Sequence, residues 1–202
     1  MKNDRLLIIF TRNPVAGEVK TRLASSIGAE SALEVYKALR AHTAAVCREL
    51  DAKKRACYCG FIPTNDIFLT NGFSATLQVG EELGERMLNA LRAGFDDGYT
   101  KIVLIGTDCL EITPLILEQA FIALEGADAV IGPARDGGFY LIGMKRVIEE
   151  LFLGRAWSTP EVLAETTLTL RSLQADHELL EELSDIDTLE DLKASALWPL
   201  KP

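Results

Sequence analysis

Apolar positions along this chain fall into short unbroken runs and longer stretches with helical spacing. Leu6-Leu7-Ile8-Ile9-Phe10 and Ile102-Val103-Leu104-Ile105 show no polar alternation, which suits strands covered on both faces. Residues 55–60, 67–69, 75–79 and 128–133 read as further short strands or strand plus turn. The run at 139–144 follows Asp136-Gly137-Gly138 too closely for a crossover helix, so it is predicted to run antiparallel in a mixed sheet.

Between these runs the spacing becomes helical. Residues 29–50 carry Leu33, Tyr36, Leu39, Val46 and Leu50 on one stripe, which packing alone explains. His42 in that helix reads as a surface or internally satisfied residue. Met87, Leu88 and Leu91 face inward on a helix ending near residue 95. Thr113 caps and Pro114 opens a helix to about residue 125, with Ile116, Ala120 and Leu124 in phase. Trp157-Ser158-Thr159-Pro160 introduces another, running to about residue 168, while residues 177–183 fit helix or strand. Thr188 and Asp191 have the spacing of a capping box at the start of a short final helix. Asp185 and Asp187, two apart, would share one strand face.

At 202 residues, 48% hydrophobic and 25% charged, the chain fits one domain over residues 1–202, with no linker or internal repeat. The five apolar residues after Arg5 are too few for a signal-peptide core or a membrane span. A cytoplasmic protein is expected, with Cys47, Cys57, Cys59 and Cys109 as reduced thiols. A formal charge of −9 argues against a nucleic-acid partner. Any anionic small ligand would need a local basic cluster or a divalent cation.

Such a cluster follows the first strand. Arg12, Lys20 and Arg22 lie in an irregular segment broken by Pro14 and Gly17, which reads either as a phosphate cradle or as a solvated turn. It is not a P-loop, which would need glycine at the positions of Val19 and Pro14. Asp108 ends the second apolar run, where strands of α/β folds present ligands. Asp136, Gly137 and Gly138 make an efficient turn by themselves; on the same side of the sheet as Asp108, they would also suit a sugar or phosphate approaching the backbone. Glu85 and Arg86 read as salt-bridged surface residues, or Gly80 and Gly84 beside them permit a close approach of ligand to backbone. Trp157 reads as core or as an aromatic platform at a pocket mouth.

Taken together, residues 10–23, Ile105-Gly106-Thr107-Asp108-Cys109 and residues 132–143 resemble the bacterial glycosyltransferase A-type proteins associated with arsenosugar biosynthesis, within the nucleotide-diphospho-sugar transferase superfamily. The likeness extends through Leu83-Gly84-Glu85-Arg86-Met87, Trp157-Ser158-Thr159 and Asp185-Ile186-Asp187-Thr188. It implies a three-layer α/β/α sandwich with a mixed, mostly parallel sheet. By the same resemblance Arg12, Lys20, Arg22, Gly84, Arg86 and Asp108 would bind a nucleotide, and Gly137, Gly138 and Trp157 the substrate. Asp108 and Asp187 would hold Mg²⁺ or Mn²⁺, and Asp136 would bind the sugar or activate the acceptor hydroxyl. The sequence departs from the pattern at Gly106-Thr107, where many glycosyltransferases have a further aspartate, and at Leu110, where the family usually has proline.

The expected reaction is sugar transfer from a nucleotide-diphospho-sugar to a small-molecule acceptor. The alternative on the same fold is a nucleotidyltransferase that joins an NTP to a phosphorylated metabolite and releases pyrophosphate. A third reading is a nucleotide-sugar sensor without turnover. A nicotinamide enzyme is disfavoured because no Gly-x-Gly-x-x-Gly follows the first strand.

Overall fold

The two unbroken apolar runs lie side by side in a computed structural model that describes residues 4–199; the outermost three positions at each end of the expected domain lie outside the described residues. β1 (Arg5–Arg12) pairs in parallel with β4 (Lys101–Ile105), Leu7 opposite Val103 and Ile9 opposite Ile105. Neither strand alternates in polarity because both faces are covered. Leu7, Ile9, Val103 and Ile105 belong to one core cluster, whereas Leu6, Ile8, Ile102 and Leu104 belong to another.

β2 (Lys53–Cys59), β3 (Ser74–Leu77), β5 (Ala129–Pro133), β6 (Phe139–Met144) and β7 (His177–Leu179) complete a seven-stranded sheet of order β3-β2-β1-β4-β6-β5-β7. β6 is antiparallel to both β4 and β5, as the short Asp-Gly-Gly connection requires, and the remaining pairings are parallel. α2 (Ala29–Arg48) and α5 (Pro114–Gly126) supply the first core cluster, and α4 (Leu83–Asp96) and α6 (Val162–Ser172) the second. The result is a three-layer α/β/α sandwich with a mixed, mostly parallel sheet.

Several predicted elements are corrected. Residues 67–69 are helical: α3 (Ile67–Thr70) starts because the Asp66 carboxylate accepts from the Phe68 N–H. α1 (Thr21–Ile27) arises within the segment read as irregular, and Leu23 is its buried residue. α6 begins two residues after Pro160, beyond a turn in which Ser158 has φ 63°. The open choice at residues 177–183 resolves as the edge strand β7 followed by non-regular chain. Asp185 and Asp187 are not on a regular strand, Asp185 forming only an isolated bridge with Cys109. The cap of α7 (Leu189–Ala194) is as expected: Thr188 accepts from the Asp191 N–H and Asp191 accepts from the Thr188 N–H. His42 is internally satisfied, its Nε2 lying 3.0 Å from the Ile112 carbonyl.

The chain leaves β1 toward β2 on one side and returns to β4 on the other. Between their carboxyl ends lies a topological switch point, the usual ligand crevice of an open α/β sheet. Both Arg12 and Asp108 come from that edge.

Candidate active site

A cleft of about 810 Å³ opens over the carboxyl ends of the strands, within the range of small-molecule sites. Arg12, Lys20, Arg22, Asp108, Asp136 and Asp187 all line it. Two backbone contacts bring the acids together: the Ile186 N–H donates to the Asp108 carbonyl at 3.0 Å, and Cys109 bridges Asp185.

Lys20 stands at the centre. Its Nζ lies 2.7 Å from Asp108 Oδ1 and 2.9 Å from Asp187 Oδ1, and its side chain is 3% exposed. Burial opposes its charge, but Asp108 and Asp187 outweigh burial and hold the ammonium above its ordinary pKa. Arg22 remains on the rim, 73% exposed, with Nη1 4.0 Å from Asp187 Oδ2. The irregular basic segment therefore places its cations against the acidic motif from the opposite end of the chain.

Asp185 adds a third carboxylate that lines the cleft, and its buried Oδ1 has no hydrogen-bond partner. Burial, then repulsion from Asp108 and further from Asp187 and Asp136, pushes its pKa up to about 7, against only the attraction of Lys20. A folded-state pKa above the unfolded value confers stability that is complete below about pH 4 and lost as pH rises through about 7. Asp185→Asn is therefore expected to flatten the fall in Tm across this window. At pH 8 it should stabilise the fold by up to about 4 kcal/mol, because one pKa unit corresponds to about 1.36 kcal/mol. Thermal melts at pH 4 and 8 check this: an unchanged pH dependence would show that Asp185 is not the titrating group.

The donor set suits a hard divalent cation. Asp108 and Asp187 already converge on one positive centre, and Asp185 adds an orphaned carboxylate oxygen to the lining of the same cleft. Among the described residues no three His, Cys, Asp or Glu side chains form a ready metal cluster. A two-carboxylate site completed by water and phosphate oxygens is the usual way Mg²⁺ is held.

The cleft has distinct ends. Toward β2 and β3 it is lined by Phe10, Cys59, Gln78, Leu83 and Met87. The Gln78 amide donates to the Cys57 carbonyl at 2.9 Å. Toward β5 and β6 it is lined by Asp136, Gly138, Tyr140, Trp157, Ser158 and Thr159. Asp136 is exposed, and its Oδ1 accepts from the Gly138 N–H at 2.9 Å. One carboxylate oxygen thus organises the turn. Trp157 both lines the cleft and packs inward: it stacks on Phe152 at 6.4 Å and meets Phe139 edge-on at 6.1 Å.

Gly84 and Gly137 require correction, since neither lines the cleft. A Cβ on Gly84 would strike the Phe152 carbonyl and the Trp157 indole, and one on Gly137 would strike the Pro160 carbonyl. Gly137 also has φ 89°. Both glycines are small for packing, Gly84 against Phe152 and Trp157 and Gly137 against Pro160. Gly137→Ala combines overpacking with an unfavourable φ, and a loss of about 2–4 kcal/mol is expected, read as a lower urea midpoint at unchanged m. Arg86 lines the cleft, but it donates to the Gly80 and Glu81 carbonyls and to Cys59 Sγ. It buttresses the turn before α4 and forms no ion pair with Glu85.

Tyr36 was legible only as part of an apolar stripe. Its hydroxyl accepts from the Arg12 N–H at 2.8 Å and lies 3.3 Å from both Thr11 and Thr107 hydroxyls, tying β1 to the loop after β4. An amphipathic aromatic on a buried stripe is the only sequence signal for this role. Tyr36→Phe is expected to cost about 1–2 kcal/mol by leaving the Arg12 N–H without its partner, measured by urea denaturation.

Fold and cleft together define the nucleotide-diphospho-sugar transferase class of α/β protein. The chain belongs to the family described as an uncharacterized protein conserved in bacteria, DUF2064, whose profile matches residues 33–159. A crystal structure from Desulfovibrio desulfuricans G20, provisionally assigned as a nucleotide-diphospho-sugar transferase, shares 30% identity over 95% of this chain and 86% of its own, with a TM-score of 0.89. A cytidylyltransferase from Leptospira borgpetersenii serovar Hardjo-bovis shares the fold at 14% identity, covering 95% of this chain and 84% of its own, with a TM-score of 0.61. Glucosyl-3-phosphoglycerate synthase from Mycobacterium tuberculosis, solved with Mn²⁺, UDP and phosphoglyceric acid, does so at 14% identity, covering 91% and 70%, with a TM-score of 0.52. No curated protein sequence matches the chain. Among the described residues no helix is long and apolar enough to cross a membrane.

Proposed function

We propose that the chain is a cytoplasmic, cation-dependent glycosyltransferase that moves a sugar from a nucleotide-diphospho-sugar to a hydroxyl of a small acceptor. The observation carrying this reading is the convergence of Lys20 on Asp108 and Asp187, with Arg22 beside them, at the switch point of the sheet. Arg12, Lys20 and Arg22 would face the diphosphate. Asp108 and Asp187 would hold Mg²⁺ or Mn²⁺, which when bound supplies Lewis-acid neutralisation of the leaving group. The Desulfovibrio protein and the UDP complex of the Mycobacterium enzyme support the same class of donor. Membership of the arsenosugar-associated branch is the finer form of this proposal.

In the transfer the bond from the anomeric carbon to the phosphate oxygen breaks, and the nucleoside diphosphate leaves with the electron pair. The acceptor oxygen forms the new bond and gives up its proton. Asp136 would receive that proton through the carboxylate oxygen not engaged by Gly138. Lys20 and Arg22 bring positive charge to the departing diphosphate, and such preorganised charge is commonly the largest catalytic contribution. Trp157, which lines the cleft, would give the sugar an apolar surface.

The charge distribution favours glycosyl over nucleotidyl transfer. The basic side chains lining the cleft, Arg12, Lys20, Arg22 and Arg86, come from the end of β1, the loop after it, the first turn of α1 and α4. Toward β5 and β6 the described lining residues include Asp136 and Asp185 but no lysine or arginine. A phosphorylated acceptor would lack a counter-charge there, whereas a hydroxyl compound would find acceptors and an aromatic face. Incubation with nucleotide sugars, and separately with NTPs plus phosphorylated metabolites, tests the assignment in the presence of Mn²⁺. Release of nucleoside diphosphate is expected; pyrophosphate release would transfer the assignment to the nucleotidyltransferase. Nucleotide affinity that survives Asp136→Asn, with no product from any wild-type incubation, would identify a sensor.

A further inference from the structure

Lys20 occupies the place between the two carboxylates that a divalent cation would take. Its ammonium touches one oxygen of each at 2.7 and 2.9 Å and is almost wholly enclosed. Its backbone lies in the left-handed region, φ 48° and ψ 44°, at a position where no side chain caps α1. A residue with a Cβ enters that region at a cost, so the two ion pairs hold the backbone as well as the side chain. With Asp108 and Asp187 ionised and Lys20 protonated, the two carboxylates and the ammonium carry a net charge of −1. A divalent ion entering beside the ammonium would bring like charges into contact distance. Arg22, 4.0 Å from Asp187, adds to the repulsion.

Expelling Lys20 alone would separate an enclosed ammonium from both partners and leave it uncompensated. A diphosphate changes that balance. Its oxygens give the ammonium new charge-assisted acceptors, while the two freed carboxylates and the phosphates together form a cation site of the usual Mg²⁺ type. We infer that Lys20 is a built-in counter-ion: it closes the Asp108–Asp187 site in the free protein and yields it only when a nucleoside diphosphate arrives. Cation and nucleotide therefore bind as a unit. The inference rests on the proposed assignment of Asp108 and Asp187 as the cation ligands.

Mn²⁺ binding, followed by the electron paramagnetic resonance signal of the free ion, tests it without any turnover. Wild-type protein is expected to bind Mn²⁺ weakly alone and about 10–100-fold more tightly with whichever of UDP, GDP, ADP or CDP binds, a coupling of ordinary allosteric size. Lys20→Met should bind Mn²⁺ alone at least about tenfold more tightly than wild type, and nucleotide should add less. Mn²⁺ alone should also raise the Tm of Lys20→Met but not of wild type. Equal Mn²⁺ affinities of wild type and Lys20→Met without nucleotide would overturn the inference. If the variant does not fold, wild type alone decides: by reciprocity Mn²⁺ must tighten the nucleotide by the same factor, and its absence also overturns the inference. Asp108→Asn separates the two levels. Nucleotide-dependent Mn²⁺ binding that persists unchanged in this variant would overturn the cation-site assignment itself, whereas its loss combined with equal wild-type and Lys20→Met affinities would leave that assignment standing and remove only the role of Lys20.

Discussion

Asp108→Asn is expected to lower the kcat of sugar transfer about 10²–10³-fold, the loss seen when one preorganised electrostatic contact is removed from a transition state. The amide keeps the shape of the carboxylate but removes the charge that Asp108 contributes beside Lys20 and the proposed cation. Little stability should be lost. The Asp108 side chain is 43% exposed, and Lys20 keeps Asp187 at 2.9 Å. Asp185 also sheds a like-charged neighbour, which offsets the broken pair. Nucleoside diphosphate release at saturating Mn²⁺ measures the effect, with a thermal melt to establish folding. Turnover within a few-fold of wild type would place the chemistry away from this carboxylate.

Most of the sheet could be read from the chain because its central strands are buried on both faces and its helices carry continuous stripes. β1 and β4 announce themselves as unbroken aliphatic runs, and the antiparallel β6 follows from the brevity of the turn at Asp136-Gly137-Gly138. The local errors have local causes. At residues 67–69 an apolar triplet resembles a strand, and only the placement of Asp66 as a helix cap decides otherwise. α1 is short, preceded by an irregular loop and separated from α2 by Gly28 alone, so its single buried Leu23 gives no period.

The site was legible in part for a different reason. Lys20 and Asp187 are far apart in sequence, and no spacing rule predicts their contact; the family resemblance, rather than any periodicity, put both at one site. Gly84 and Gly137 show the opposite failure. A glycine beside a suspected site signals close approach, but the sequence does not say whether a ligand or another part of the protein approaches. Here Trp157 and Pro160 do. Tyr36 was hidden because its ring belongs to the helix stripe while its hydroxyl serves the cleft.

The largest loss of stability is expected away from the reacting groups, at Asp66→Ala. Arg40 Nη2 donates to Asp66 Oδ2 at 2.7 Å, and both side chains are 4% exposed. Asp66 Oδ1 accepts from the Tyr58 hydroxyl at 2.5 Å and from the Phe68 N–H at 3.1 Å. Arg40 Nε donates to the Thr11 hydroxyl at 3.0 Å, and its guanidinium lies over the Phe68 ring at 5.1 Å. Removing the carboxylate leaves a buried guanidinium without its counter-ion and removes the α3 cap, so a loss of about 3–5 kcal/mol follows. For a domain of this size that corresponds to a Tm lower by roughly 6–20 °C. The double variant Arg40→Met/Asp66→Leu should recover much of it, because replacing a buried pair with apolar groups removes the stranded charge. Urea denaturation of Arg40→Met, Asp66→Leu and the double variant gives the coupling directly. A loss below about 1 kcal/mol in Asp66→Ala would mean that water reaches Arg40. The consequence for function runs through Thr11, whose hydroxyl meets both Arg40 and Tyr36 at the end of β1: the buried pair fixes the strand end from which Arg12 enters the cleft, so nucleotide affinity should weaken in Asp66→Ala even at temperatures where the variant is fully folded.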